Sequence, residues 1–281
     1  MSFPYPLDKL LKISDEEYFA QKAVSQSLLR RLVIKQELYE VANGIQTEPT
    51  EAMNLGSAIH CLILEPAEFE KRYVVAPKFD LRLKADKEAK KAFLEEIGNK
   101  TPITTEDYST AIECRDAFFE SEAASLLDSG MAEAAVFTEL DGAHTKIKLD
   151  NFCEQTGIIL DFKSTQYDSD RFKKYLGDEG FSVQASLYRD VLLNAGYYPK
   201  HFIFIGIQTV KNKKITVVQQ SREEYENGRA LYKAGFALWG DIEKNTEKYK
   251  SKICRNAEDG TELFSLETPF YLQKRDRKSV V

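Results

Sequence analysis

Two aspartates and a lysine near the middle of the chain form the pattern with the clearest chemical meaning. The stretch Lys146-Ile147-Lys148-Leu149-Asp150 is followed, after a polar turn, by Ile158-Ile159-Leu160-Asp161-Phe162-Lys163. If that turn is centred between Gln155 and Thr156, residues at equal distances from the centre lie opposite each other. Asp150 and Asp161 then face each other across two strands, with Cβ atoms roughly 5 Å apart.

Such a pair of carboxylates indicates a cation site. Facing carboxylates repel unless a positive group lies between them. Mg²⁺ suits this place because it prefers carboxylate oxygens and keeps several of its waters. Lys163 shares a strand face with Asp161, where its ammonium could hold a water nucleophile or neutralise a developing oxyanion. The pattern predicts metal-assisted phosphodiester hydrolysis, against the alternative of a solvated strand face with incidental charges.

The surrounding elements predict an α/β fold. Residues 135–140 and 145–152 read as a hairpin around Asp141-Gly142, and 158–163 as the next strand. A helix over 182–196, strands over 201–208 and 213–219, and a long helix from Ser221 follow. We expect one domain over 1–281, with a mostly helical part in 1–130 and a β-β-β-α-β core in 131–250. The expected fold is a mixed central sheet flanked by helices, with a helical N-terminal elaboration.

Composition excludes several other classes of protein. The chain has 281 residues and a net charge of −6, and its 43% hydrophobic content excludes a wholly disordered chain. The sequence contains no run of about 18 apolar residues, which a membrane-spanning helix would need. The first residues lack the pattern of a secretory signal, so we expect a cytoplasmic protein. The four cysteines Cys61, Cys114, Cys153 and Cys254 are too dispersed for a zinc knuckle or an iron–sulfur cluster.

Three motifs together resemble a known nuclease superfamily. Asp150 with Asp161-Phe162-Lys163 resembles the D…(D/E)-x-K signature of PD-(D/E)XK nucleases. Gln184 and Tyr188 resemble the Q-x-x-x-Y motif of RecB-type nucleases, on the helix after that strand. The stretch from Gly56 to Pro66, GSAIHCLILEP, is similar to the G-x-A-x-H-x-x-x-x-E-P helix of RecE-type exonucleases. The similarity spans about residues 25–220.

The resemblance implies an activity and a set of roles. It implies an exonuclease that degrades linear double-stranded DNA 5′-to-3′ with Mg²⁺, or Mn²⁺ as a substitute, and leaves a 3′ strand for an annealing recombinase. His60 would join Asp150 and Asp161 as a metal ligand, although a histidine on an apolar helix is more often a core residue. Gln184 would position the substrate or a metal-bound water, and Tyr188 would lie beside it or touch DNA.

Further residues and the assembly also follow from the resemblance. RecB-type nucleases often carry a glutamate near the first core strand, and either Glu133 or Glu139 could correspond to it. RecE-type enzymes form rings that DNA threads, so the resemblance implies a homo-oligomer.

A basic segment has two interpretations. Residues 71–91 hold eight Lys or Arg against three Asp or Glu, and the tail at 274–278 is also basic. The segment is either a solvated face or a surface that contacts phosphates with salt-sensitive affinity. Because the similar family segment is also basic, Arg82, Lys84 and Lys87 are the expected DNA contacts.

Two other functions stay open at this point. One is a Cas4-like or other RecB-type nuclease with single-strand preference, although the cysteine spacing does not suit the iron–sulfur members. The other is a catalytically silent DNA-binding scaffold that kept the fold, although every expected catalytic position is filled.

Overall fold

A computed structural model describes residues 4–46, 50–127, 130–210 and 212–250. The helices are α1 (Asp15–Ala20), α2 (Gln26–Val33), α3 (Leu38–Ala42), α4 (Glu51–Leu64), α5 (Phe69–Arg72), α6 (Lys84–Ile97), α7 (Thr105–Glu120), α8 (Ser169–Asp178), α9 (Phe181–Asn194), α10 (Arg222–Lys244) and α11 (Thr246–Tyr249). The strands are β1 (Leu11–Lys12), β2 (Tyr73–Val75), β3 (Thr101–Ile103), β4 (Met131–Leu140), β5 (Ala143–Cys153), β6 (Ile158–Thr165), β7 (His201–Gln208) and β8 (Ile215–Gln219).

A mixed sheet forms the centre of the fold. Among the described residues its strand order is β1-β4-β5-β6-β7-β8, and every neighbouring pair is antiparallel except the parallel pair β6–β7. Helices α8 and α9 make the crossover that a parallel pair requires. The expected α/β architecture with a mixed central sheet is therefore confirmed.

Helices cover both faces of this sheet. On one face α2, α9 and α10 enclose a core that includes Leu29, Val183 and Tyr232. On the other face α4 and α7 enclose a second core that includes Ile59 and Phe118. Successive residues of β6 and β7 alternate between these two cores, so both strands are buried on both sides, as the continuous apolar run at 201–208 predicted.

The two hairpins have the predicted geometry. Leu140 pairs with Ala143 around the Asp141-Gly142 turn. In the next hairpin Asn151 pairs with Leu160, Phe152 with Ile159 and Cys153 with Ile158. These pairs lie at equal distances from the centre between Gln155 and Thr156, so the register inferred from the sequence is confirmed.

The N-terminal part departs from the expected pattern in four places. The near-helical spacing of apolar residues from Leu28 to Val41 predicts one helix over Ser25 to Val41, but the structure divides it into α2 and α3. Gln36 adopts a positive φ of 55° at the break, where the Arg31 side chain binds the Glu37 carboxylate and the Ile45 carbonyl. Strand β1 also adds an edge to the main sheet, and β2 and β3 form a separate parallel pair. The apolar stretch 55–66 predicts a short helix ended by Pro66, and the observed helix α4 begins four residues earlier, at Glu51.

Further expectations concern the cysteines, the basic tail, one loop and membrane spans. Cys61, Cys114 and Cys153 are buried free thiols. Cys254 and the basic tail at 274–278 lie outside the described residues. Asn43-Gly44 and Pro49 predict a loop over 43–51, of which residues 47–49 also lie outside the described part. No helix in the described part of the chain combines the length and apolar composition needed to cross a membrane.

Candidate active site

The two aspartates meet where strands β5 and β6 stop pairing. The ladder between these strands ends at Asn151 and Leu160, and Asp150 and Asp161 occupy the next positions in the register. Beyond this point a side chain replaces the backbone acceptor: Asp150 Oδ2 accepts a 2.7 Å hydrogen bond from the Phe162 N–H. This bond fixes the Asp150 carboxylate between the two strands.

Asp161 and Lys163 share one face of β6 and are held together there. The Lys163 ammonium forms an ion pair with Asp161 Oδ2, and the Gln184 amide of α9 donates to Asp161 Oδ1. Asp161 is only 2% exposed. Both of its carboxylate oxygens are therefore engaged by side chains that the sequence motifs singled out.

His60 approaches from the opposite layer of the fold. Helix α4 can lie close to β6 because residue 56 is glycine: a Cβ there would come within 2.7 Å of Ser164 Oγ. One helical turn later His60 Nδ1 lies 3.6 Å from Asp150 Oδ2. Burial, together with the nearby Lys163 ammonium, lowers the pKa of His60, so the imidazole is neutral at pH 7. A neutral imidazole is the form that binds metals.

The structure distinguishes the two candidate glutamates. Glu133 lies opposite Asp150 in the β4–β5 register, at a gap in the ladder where its own φ is 53°. Glu139 pairs with His144 at the far end of the hairpin, six residues or roughly 20 Å along the strand. Only Glu133 is therefore placed with the aspartates, and a non-glycine residue at positive φ is a feature that clusters at functional sites.

The nearby cations do not fully stabilise the charged form of the carboxylates in the site. Burial and the neighbouring Asp161 raise the pKa of Asp150 to about 7. Burial and the nearby Asp150 likewise raise the pKa of Glu133, against the opposing effect of Lys148. Burial and like charges on adjacent strands together produce these shifts, and a bound cation would offset both by stabilising the charged carboxylates.

Tyr188 lies in the core beneath the site. Its ring is 6.1 Å from the ring of Phe202, and its residue exposure is 5%. Burial raises the pKa of Tyr188 well above its ordinary value, so the hydroxyl keeps its proton. The structure therefore places Tyr188 in the buried core on the α9 side of the sheet rather than on a free surface.

The expected DNA contacts are exposed cations, two of which pair with acidic neighbours. Arg82 pairs with Asp80, and Lys84, 91% exposed, pairs with Glu88 on α6. Lys87 is also exposed on α6, which has no buried residue. The described contacts of these three cations stay within their own segment.

The residue types suit a divalent cation, although they are not arranged as a preformed cage. No group of three or more His, Cys, Asp or Glu within the described ranges has the spacing of a metal cluster. The donors at hand are nevertheless the hard oxygens of Asp150, Asp161 and Glu133 with one neutral imidazole. The buried Gln184 Oε1 also has no hydrogen-bond partner among the described residues. This donor set fits a magnesium-type ion.

Two contributors were not assigned from the sequence. Lys148 binds Glu133 Oε2 at 2.8 Å and also pairs with Asp15 of α1. Phe181, the first residue of α9, lies against Lys163.

The sequence contained a signal for one of the two candidate glutamates. Hairpin register could have selected Glu133, because Glu133 and Asp150 lie at equal distances from the centre of the Asp141-Gly142 turn. Nothing in the local sequence indicates the contacts of Asp15 or Phe181, which depend on tertiary packing.

The topology and the Asp…Asp-x-Lys arrangement on adjacent strands define a PD-(D/E)XK-type nuclease core. The chain belongs to the family described as "PDDEXK-like domain of unknown function (DUF3799)", whose model matches residues 25–258. A solved structure described as a "Putative exonuclease" from Eubacterium rectale is similar, with a TM-score of 0.61 and 14% identity. The match covers 96% of this chain and 100% of that one, and at this identity it shows the fold alone. No protein in the curated set matches the chain.

Proposed function

We propose that the chain is a metal-dependent exodeoxyribonuclease that degrades linear double-stranded DNA 5′-to-3′ and leaves a 3′ single strand. The observation that carries this proposal is the convergence of Asp150, Asp161 and Lys163 where β5 and β6 part, with His60 opposite. Membership of a PDDEXK-like family and the fold of an exonuclease-like neighbour support it. Polarity and the preference for duplex ends rest on the resemblance of the motifs to RecE-type enzymes.

The proposed metal is Mg²⁺, with Mn²⁺ as a substitute. Asp150 and Asp161 would hold it, with His60 as a third ligand and Glu133 at the edge of the set. When bound, such an ion supplies Lewis acidity toward a phosphate oxygen and lowers the pKa of a coordinated water. Asp161 would have to give up one of its present partners, Lys163 or Gln184, to offer an oxygen.

The chain's own groups then have distinct tasks. The Phe162 N–H holds the Asp150 carboxylate in place, and the Gln184 amide orients the Asp161 carboxylate. The Lys163 ammonium has three N–H donors and lies beside these oxygens. It is suited to hold the attacking water or to stabilise negative charge that builds on the phosphate.

A single assay tests the proposal. Linear duplex labelled at either the 5′ or the 3′ end is incubated with Mg²⁺ or with EDTA, beside a closed circular duplex and a single strand. We expect early release of the 5′ label with Mg²⁺ only, late release of the 3′ label, and no attack on the circle. Asp161→Asn, which keeps the oxygen that Gln184 binds, should stop release without unfolding the protein.

Other outcomes have clear meanings. Faster degradation of the single strand would favour the RecB-type alternative, and absence of cleavage in the folded wild type would favour a silent scaffold. We also propose a homo-oligomeric ring and transfer of the 3′ strand to an annealing recombinase, both from the RecE-type resemblance. Light scattering of the purified chain tests the ring, since a monomer could not encircle DNA.

A further inference from the structure

The ring of Phe181 lies against two cations at the edge of the site. The Lys163 Nζ is 5.0 Å from the ring centroid, and the Arg30 Cζ is 4.0 Å from the same centroid. A cation within about 6 Å of an aromatic face is attracted by the ring quadrupole. Phe181 is only 6% exposed, which strengthens such an attraction by excluding water.

Two residues of one α9 turn contact two residues on one face of β6. Phe181 and Gln184 are three residues apart on a helix and therefore share a face. Asp161 and Lys163 are two residues apart on a strand and also share a face. Gln184 donates to Asp161 while the Phe181 ring contacts Lys163, so the same helical turn holds both members of the ion pair.

The position of the ring is itself fixed from α2. Arg30 Nε donates to the Glu179 carbonyl at 2.9 Å, and its Nη2 donates to the Glu179 carboxylate at 3.3 Å. Gly180 adopts a φ of 66°, and a Cβ there would come within 2.5 Å of the Ile34 side chain. The Glu179-Gly180-Phe181 segment is therefore pressed against α2 and its C-terminal end.

We propose that Phe181 is a positioning residue for Lys163. A lysine has a flexible four-carbon stem, and a single ion pair with Asp161 would leave its ammonium free to pivot. The ring attracts the charge without accepting a directed N–H bond, so the ammonium keeps donors for water or phosphate. This inference rests on the proposed function, in which Lys163 acts on the reacting groups.

Ring fluorination tests the contact without changing the shape of the side chain. Phenylalanine carrying one, two or three ring fluorines is incorporated at position 181, which progressively weakens the negative potential of the ring face. We expect kcat for DNA cleavage to fall stepwise, by about 5- to 30-fold with three fluorines, while KM stays unchanged. The melting temperature should fall slightly, because fluorination also weakens the contact of Arg30 with the same ring. In a Lys163→Met background the residual rate should not respond to fluorination.

Phe236 provides the matched control. It is 7% exposed on α10, its ring lies 5.9 Å from that of Tyr232, and none of the described cation–ring contacts involves it. Trifluorination at 236 should leave kcat unchanged. An unresponsive kcat at 181, or an equal response at 236, would overturn the inference.

A second measurement does not depend on cleavage. Protons of the Lys163 side chain near an aromatic face should show an upfield ring-current shift in NMR spectra of lysine-labelled protein, assigned with Lys163→Met. The shift should disappear in Phe181→Leu. Its absence in the wild type, or its persistence in Phe181→Leu, would overturn the inference. If the wild type cleaves no DNA, the proposed function fails, and this shift alone decides whether Phe181 holds Lys163.

Discussion

Asp150 combines a half-buried position with a like-charged neighbour, which makes it a source of instability in the metal-free protein. Its pKa is raised to about 7, whereas an unfolded chain has a value near 3.8. The folded state therefore binds the proton more tightly, and this group's contribution favours folding below pH ~4 and is lost as the pH rises through about 7.

We predict that Asp150→Asn stabilises the metal-free protein at pH 7.5 by roughly 1–3 kcal/mol, because a neutral amide costs less to bury than a carboxylate and also removes the repulsion with Asp161. The amide oxygen can still accept from the Phe162 N–H. Chemical unfolding in EDTA between pH 4 and 8 measures the effect, which should vanish at the acid end. Asp150→Asn should also abolish DNA cleavage in the presence of Mg²⁺.

Asp190→Asn is the matched control for a buried aspartate outside the site. Asp190 accepts from Tyr225 and Tyr232 and pairs with Arg229. Its substitution should lower the melting temperature and leave cleavage per folded molecule nearly unchanged. If Asp150→Asn behaved like Asp190→Asn, Asp150 would be a structural residue.

Lys163 is predicted to affect the chemical step rather than metal binding, since an ammonium cannot coordinate a cation. Lys163→Met keeps most of the stem and removes the charge next to Asp161. We expect a fall in kcat of ~10²-fold or more, little change in the Kd for DNA, and Mg²⁺ affinity that is unchanged or tighter.

Single-turnover kinetics and calorimetry of the Lys163 variants separate these quantities. Lys163→Arg should rescue poorly, because the guanidinium keeps the charge but not the compact geometry. A wild-type rate for Lys163→Met, or a loss explained only by weaker DNA binding, would instead assign the lysine to a phosphate contact.

At the scale of elements, local pattern and register explain why much of the site was predictable. The alternation of β5 and β6 and the turn around Gln155 and Thr156 fix the facing of Asp150 and Asp161, because a strand has only two faces. The division of α2 from α3 was not predictable in the same way. It depends on the contacts of Arg31 with Glu37 and Ile45, which form only in the folded chain.

Helix α4 provides an element-scale prediction, because Gly56 sets its distance from β6. In Gly56→Ala the added Cβ would meet Ser164 Oγ at 2.7 Å and displace the helix that carries His60. We expect a lower melting temperature and slower cleavage, with a stability cost of about 1–3 kcal/mol.

Removing the opposing atom should relieve this clash. Ser164→Ala in the Gly56→Ala background is expected to restore both the melting temperature and the cleavage rate, whereas Ser164→Ala alone should change neither much. Additive effects of the two substitutions in a double-mutant cycle would show that the clash is not what limits α4.

For the whole molecule, the remaining question is how an acidic protein would hold a polyanion. The chain carries a net charge of −6, and several cations of the basic segment already pair with acidic neighbours, among them Arg82 and Lys84. Such exposed pairs are weak and exchange readily for phosphate. The distribution of charge on the surface, rather than its sum, therefore decides whether DNA binds there.

We predict that the double substitution Lys84→Glu with Lys87→Glu weakens DNA binding and lowers the slope of log K against log salt by about 2, because roughly one counterion is released per neutralised phosphate. Lys233→Glu with Lys244→Glu on α10 changes the net charge by the same amount and is the control. Its slope should match the wild type, measured by fluorescence anisotropy from 50 to about 300 mM salt with EDTA present. An unaltered slope for the α6 pair would show that this helix is a solvated face, and the phosphate contacts would have to be sought nearer to Asp150 and Lys163.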